Sequence, residues 1–432
     1  MDVGFQEDGA HKRETDMVES GLRIRQTTFA VVVAALLAVS CTGEDGDTGW
    51  TVAVDTVNGT VRVVNTPPET GAGPGLVAEE ELRVGTVEGG GATSFGLIRS
   101  VAILEDGRFA VADAQAEEVR LFDREGQHLR TFGGDGGGPG ELRGMQGVHV
   151  DHEGSLRVAE QGNMRLSVFH PDTGYVTSVP LRLHSYGFRG PWDAAMDSAG
   201  RTLVASSGQY GEGRFWNMLR IYDPSMEQLD SIPYDEYTNF IQEEEPPGAW
   251  RISTVNGFTF AQVPFYPQTH RILAPTGEFW SSGGGKPQLE VARWSPAGDT
   301  SLVLLSRRQP DPVTSAERDS AMAAVRENLL QRMPSPPSLD PSRVPATKPP
   351  LYDLSLDDRG RLWARITSSV VDTTVYDIFN RDGSYAETVA LPFRIDQWIP
   401  PVVRGDTLWV VVTDEIDVQY VVRARLRPSP GR

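Results

Sequence analysis

The chain has 432 residues and a formal net charge of −19 at neutral pH. Such an excess of acid makes the chain a poor candidate for a phosphate-backbone binder, which needs clustered Lys and Arg, and disfavours adhesion to anionic lipid. Gly (45) and Pro (30) are frequent, which points to many turns, and the single cysteine, Cys41, rules out a disulfide framework or a multi-cysteine metal site.

Near the N-terminus, Arg23 and Arg25 precede an apolar run over 29–39, and Ala38-Val39-Ser40 lead into Cys41. A basic stretch, a short apolar run and small residues at a cut site make an export signal. The run is too short for a membrane-spanning helix. Small residues directly before a cysteine resemble the lipobox of bacterial lipoproteins. That resemblance implies cleavage before Cys41 and lipid on its thiol, although Ala38 stands where leucine is more usual. An ordinary secretory signal with a coincidental cysteine is the alternative. Residues 1–16 are acidic and polar, unlike the start of such a signal, so Met17 is a second candidate start. The chain therefore divides into a signal at 1–40, a solvated tether at 41–49 and a folded body at 50–430. Thr42 follows Cys41 where an Asp would hint at inner-membrane retention, so the expected location is the cell envelope, anchored at the outer membrane.

In the folded body, 50–65 reads as a hairpin, with two β-branched runs flanking Asn58-Gly59, the pair favoured by a type I′ turn. Residues 66–80 read as a Pro/Gly loop and 81–87 as one more strand. A repeat then begins. Residues 98–134 read strand, turn, strand, polar loop, strand, turn, strand, and 145–181 repeat that order. Gly107 and Gly154, Phe122 and Phe169, and Asp113 and Glu160 are each 47 residues apart. Three markers on one period make a strong repeat signal. Weaker copies place Gly200, Gly277, Gly360 and Gly405 in the corresponding turns, giving six units in all.

Each unit holds four short strands and cannot bury its own faces; six such sheets packed radially can. The last unit lacks a clear fourth strand, so the strand at 81–87 is expected to complete it. The 50–65 hairpin has two available roles, extending that same sheet or covering an edge. One segment breaks the β pattern. Residues 313–333 carry Ala321, Val325, Leu329 and Met333 at helical spacing, with Thr314 or Ser315 as N-cap, and a Pro-rich stretch at 334–350 follows.

The segments 111–126 and 158–174, joined by Phe132-Gly133-Gly134-Asp135-Gly136-Gly137-Gly138-Pro139-Gly140-Glu141-Leu142, are similar to NHL-type propeller repeats. More narrowly, the chain resembles the six-bladed β-propeller lipoproteins of bacterial envelopes over roughly 50–430. The resemblance implies an all-β fold of four-stranded antiparallel blades around a central channel. It implies no single activity, because such propellers include binding modules, lyases, hydrolases and assembly factors. It also implies that first strands line the channel, and that lead-in loops and second-to-third-strand loops share one face.

On that plan the candidate ligand-binding residues are Arg99, Arg143, Gln146, Arg189, Trp192, His270, Tyr352 and Trp398 in lead-in positions, and Asp113 and Glu160 in the second-to-third loops. Arg271 and Asp396 are further lead-in positions. A mouth with Arg, aromatic and carboxylate groups suits a small polar ligand. Asp113 and Glu160 are also the natural pair for a metal with oxygen ligands, but position-equivalent acids in a repeat more often cap turns. Ser206 and Gly283 follow at that offset, so a ring of acids is not continued. His149, on a strand face with Asp151, is the best-placed lone histidine for acid–base work. The glycine stretch lacks the Lys-Ser/Thr of a nucleotide loop and leads into a strand. Trp280, Trp363 and Trp409 read as core between units.

The function expected from these residues is binding of a small ligand, peptide or protein at the channel face by a monomer, without cofactor, metal or catalysis. The membrane is met through the lipid anchor alone. A metal-dependent propeller hydrolase or lyase is the first alternative, and a structural scaffold of an envelope complex is the second.

Overall fold

The Asp-x-x-Gly turns show how the repeat folds. In 151–154, 197–200 and 357–360 the Asp side chain accepts backbone N–H groups two and four residues on, at 2.8–3.0 Å. It also takes an arginine Nε: Arg157 at 2.9 Å, Arg201 at 2.7 Å and Arg361 at 2.7 Å. The closing Gly154, Gly200 and Gly360 have φ of 79°, 76° and 71°, a region that costs glycine little. Each turn thus reverses the chain between a first and a second strand.

The computed structural model describes residues 49–69, 73–87, 90–180, 194–210, 214–236, 245–254, 257–368 and 372–430. Within them lie six four-stranded antiparallel units. Units one to five occupy 98–133, 145–180, 194–236, 271–306 and 353–391. The sixth is built from Val402–Arg404, Thr407–Thr413, Gln419–Pro428 and, as its outermost strand, the N-terminal Leu76–Val84. That strand completes the last unit as expected, but it starts five residues before the predicted 81. Residues 76–80 pair with 424–428 rather than forming loop, and a bulge between Arg423 and Ala424 leaves Glu81 without a partner in the ladder.

The hydrophobic cores lie between units. Ala112 and Leu121 of unit one pack with Val148 and Phe169 of unit two. Ala159 and Leu166 join Val204 and Tyr222 of unit three, and Leu203 and Leu219 join Leu273 and Phe279 of unit four. Trp280 and Val291 then meet Leu362 and Phe379 of unit five, and Trp363 and Tyr376 meet Leu408 and Val410 of unit six. Finally Trp409 and Val411 pack with Phe109 and Phe122, back in unit one. Every unit buries both faces against its neighbours, which is the arrangement of a β-propeller. All three tryptophans read as core are buried there, and each such side chain contributes roughly 1.5–3 kcal/mol.

The N-terminal hairpin, Thr51–Val57 and Thr60–Thr66, turns at Asn58 and Gly59, both with positive φ (51° and 85°). It does not extend the sixth unit. Its second strand runs parallel to Thr300–Ser306 and covers the outer edge of unit four. Asn65, wholly buried, fastens it there: Nδ2 donates to the Gly383 and Leu305 carbonyls (2.9 and 3.3 Å), and Oδ1 accepts the Tyr385 N–H (2.7 Å).

Two insertions rise from consecutive lead-in connections. Helix α1 (Ser315–Arg332) begins with a capping box, Thr314 and Glu317 bonding each other's backbone N–H. A hairpin not foreseen in the sequence, Ala249–Thr254 with Gly257–Gln262, precedes unit four. The two share one small core in which Leu329 and Val344 pack with Trp250, Ile252 and Val263. The helix is therefore one half of a cap built jointly with the hairpin.

Candidate ligand site on the channel face

The first strands of the units line a central channel of about 640 Å³, with Ser100, His149, Ala195, Ile272, Ser355 and Val402 on its walls. At its mouth, between units five and six, lies a second cavity of about 590 Å³. Gln397 and Trp398 line both, so the two spaces share a wall. The second cavity is bounded by the loops of units five and six and by the cap, which contributes Phe265, Glu317 and Lys348.

An ion pair internal to the cap borders this cavity. Lys348 Nζ lies 2.7 Å from Glu317 Oε1. The Lys348 ammonium and the Thr314 backbone N–H draw the Glu317 carboxyl down to a pKa of about 2, and Glu317 in turn raises that of Lys348. The Tyr352 phenol is pushed up by burial, and Arg365 lies over its ring at 5.9 Å from the centroid. Asp414 is held low, first by the Val418 N–H at 2.9 Å.

Of the candidate residues, Tyr352 and Trp398 line this cavity, the latter 51% exposed. Asp396 joins them, while Arg271 and His149 line the channel. His270 is buried and exchanges bonds with Ser282 across two strands. Arg99 is exposed on the first strand of unit one, and Gln146 turns back to the Gly144 carbonyl at 3.0 Å. Arg143 pairs with Asp135 at 3.1 Å. Cys41, Arg189 and Trp192 lie outside the described residues, as do the signal and nearly all of the tether.

Asp113 and Glu160 need correction as ligand-binding candidates. Asp113 is 1% exposed and accepts the N–H groups of Gly96, Leu97, Gln115 and Ala116 at 3.0–3.3 Å, with Arg120 at 3.4 Å. Glu160, fully buried, takes the Arg143 N–H, the Asn163 amide, Arg165 Nε and the Ser167 hydroxyl. Their lone pairs are committed to lead-in backbone and to arginine, so neither carboxylate faces a ligand. Among the described residues no three His, Cys, Asp or Glu side chains gather as a metal site.

The glycine stretch is likewise filled by the protein itself. The Gly138 N–H donates to the Glu141 carboxylate at 2.6 Å, where an anion would sit. Arg165 takes the carbonyls of Gly137, Gly138 and Glu141 at 2.7–3.2 Å.

Arg365, Arg394, Asp372 and Asp417 line the cavity and were not foreseen. They occupy the second strand of unit five, the lead-in loop of unit six and the second-to-third loops of both units. The repeat is diffuse there, so offsets from units one and two did not reach them.

No protein-family model and no curated protein sequence matches the chain. Solved structures do resemble it. A member of the DUF4221 family from Bacteroides vulgatus aligns at 10% identity and TM-score 0.48, over 82% of this chain and 99% of that one. Virginiamycin B lyase from Staphylococcus aureus aligns at 9% and 0.38, over 80% and 98%. A gluconolactonase from Xanthomonas campestris aligns at 10% and 0.37, over 77% and 87%. The strand pairing and the ring of shared cores place the chain among β-propellers; no narrower family is shown.

Proposed function

We propose that this protein is an exported, lipid-anchored six-bladed propeller that binds a small ligand, peptide or protein partner at its channel face without transforming it. The observation that carries the reading is the roofed cavity of about 590 Å³ at the channel mouth. Its size falls in the range of small-molecule sites, and such sites are concave with a few convergent polar groups. The two acids best suited by sequence to hold a metal are spent on lead-in backbone and arginine, which weakens the hydrolase and lyase alternative. No helix among the described residues is long and apolar enough to cross a membrane, and anchoring is assigned to Cys41.

Two measurements test the reading. A metabolite and short-peptide screen by thermal shift on the purified full chain should find ligands that raise the melting temperature, since native-state binding stabilises. A screen in which nothing moves the transition overturns the ligand reading. Cys41→Ala should move the protein from the membrane fraction to the soluble fraction; unchanged fractionation overturns the anchor.

A further inference from the structure

The charged groups around the roofed cavity divide into those already engaged and those that are not. Lys348 is paired with Glu317 at 2.7 Å. Asp396 accepts the Trp398 N–H at 2.7 Å and Gln419 Nε2 at 3.0 Å. Asp414 accepts two backbone N–H groups and the Tyr420 hydroxyl at 2.9 Å. Four groups on the same cavity remain: Arg365, Arg394, Asp372 and Asp417. None of them has an ion pair or a side-chain hydrogen bond to a described residue.

The cationic side is partly preorganised. Arg365 sits on the strand Leu362–Ile366, its guanidinium laid over Tyr352 and its Nε buried without a hydrogen-bond partner. Arg394 lies in the next lead-in loop, exposed on the same cavity. A guanidinium matches a carboxylate in shape and charge.

The anionic side comes from equivalent places in two neighbouring units. Asp372 and Asp417 each lie just before a third strand, at φ of 57° and 64°. In unit one the left-handed residue is Glu117, with φ 52°, one residue nearer its third strand. Glu117 reaches the next unit's lead-in and accepts the Gly144 and Met145 N–H groups at 2.7 and 3.0 Å. In units five and six the residue is an Asp, one methylene shorter, and it makes no such bond. The Asp417 N–H closes a turn onto the Asp414 carbonyl at 3.2 Å, a left-handed place that Asp tolerates, and this leaves its carboxylate unengaged.

Two free cations and two free anions on one cavity disfavour a ligand of a single sign. Inorganic phosphate at the arginines would face Asp372 and Asp417, and a simple amine at the acids would face Arg365 and Arg394. We propose that the cavity takes a small zwitterion, a free amino acid or a short peptide with both ends charged. Its carboxylate sits at Arg365 and Arg394, its ammonium at Asp372 and Asp417, and its side chain against Tyr352 and Trp398. This rests on the ligand-binding reading above and assigns that site its chemical class.

Calorimetric titration of the purified full chain tests it, with the common free amino acids and glycylglycine as probes. Acetate, ethylamine and inorganic phosphate serve as single-sign controls. At least one zwitterion should bind, and each control should bind at least roughly tenfold more weakly, since a charged hydrogen bond contributes about 1.5–3 kcal/mol. Arg394→Gln and Asp417→Asn should each weaken that zwitterion by about tenfold or more. Both side chains are exposed and unpaired, so the unliganded melting temperature should stay put. Binding of acetate or phosphate as tight as any zwitterion, or zwitterion binding indifferent to both variants, overturns the proposal. So does the absence of any zwitterion binding. If other metabolites then still shift the melting temperature, the ligand-binding reading survives and only this assignment of class falls.

Discussion

Trp50 lies flat on Tyr385, ring centroids 3.9 Å apart and planes 10° from parallel. The two residues are 335 positions apart in sequence, and their contact ties the first described strand pair to unit five. Arg308 covers Trp50 at 5.2 Å from the ring while binding Asp377 through both carboxylate oxygens at 2.8 Å. Tyr385 completes the knot by bonding Thr388, which donates to the same Asp377 at 2.6 Å. Burial raises the Tyr385 phenol, so it stays a neutral hydrogen-bonding group throughout the physiological range.

This junction should be energetically coupled. Trp50→Ala removes a stacked ring and should cost roughly 2–4 kcal/mol in urea unfolding. Asn65→Ala strips partners from the Gly383 carbonyl and the Tyr385 N–H and should cost about 1–3 kcal/mol. The loss in the double variant should be smaller than the sum of the two, because either change loosens the hairpin that presents the other residue. Strict additivity would show that the hairpin is fastened by independent contacts.

Asp113 and Glu160 supply a second test. Asp113→Asn and Glu160→Gln keep the shape but remove a buried negative charge facing arginine and backbone N–H groups. Each should lower stability by about 3–5 kcal/mol, the cost of breaking a buried pair. A chelator should leave the wild-type melting temperature unchanged, since all their acceptor sites are taken by the protein. A chelator-induced fall would return these carboxylates to metal binding.

The sequence made the repeat legible where the chemistry is strict. The 47-residue spacing of Asp113 and Glu160 reflects one job, holding the lead-in backbone of their own unit, and a substitution there is costly. The helix start was readable to within one residue, as Thr314 or Ser315, because an N-cap is a local signal; the Glu317 half of the capping box was not read. The partner of the 51–66 hairpin was not, since parallel pairing with Thr300–Ser306 leaves no mark within either segment. The hairpin at 249–262 carried a signal, Asn256-Gly257, the same dipeptide as Asn58-Gly59; it was missed because it interrupts the repeat between units three and four. The cavity charges were illegible for another reason. Arg365 and Asp372 acquire meaning from what they fail to pair with, and pairing is a property of three dimensions.

Arg343 should act as the clasp between hairpin and helix. Its guanidinium reaches the carbonyls of Pro246, Pro247 and Ala249 at 2.7–3.0 Å and lies over Trp250. Arg343→Ala should leave the propeller intact while freeing the cap. The expected result is faster proteolysis within 334–350 with little change in the main unfolding transition. Arg343→Lys should rescue this only in part, because an ammonium lacks the planar face laid over Trp250 and the second nitrogen that meets Glu245. A large loss of global stability would instead make the cap part of the propeller core.

Acid should loosen the same cap from within. Glu317 has a folded-state pKa near 2, below its ordinary value of 4.5. A depressed carboxyl contributes stability that is present above the ordinary value and lost as pH falls through the folded one. The Lys348 contact and the capping box should therefore hold at neutral pH and weaken between about pH 4.5 and 2. Lys348 titrates above its ordinary value, so its side of the pair persists until strong alkali. Trp250, in the cap's core, offers the readout. Its fluorescence, isolated by comparison with a Trp250→Phe variant, should change in that acid window before the main transition. Glu317→Gln should abolish the acid-dependent step and leave the cap loosened at every pH. An acid step that persists unchanged in Glu317→Gln would assign the opening to another carboxylate.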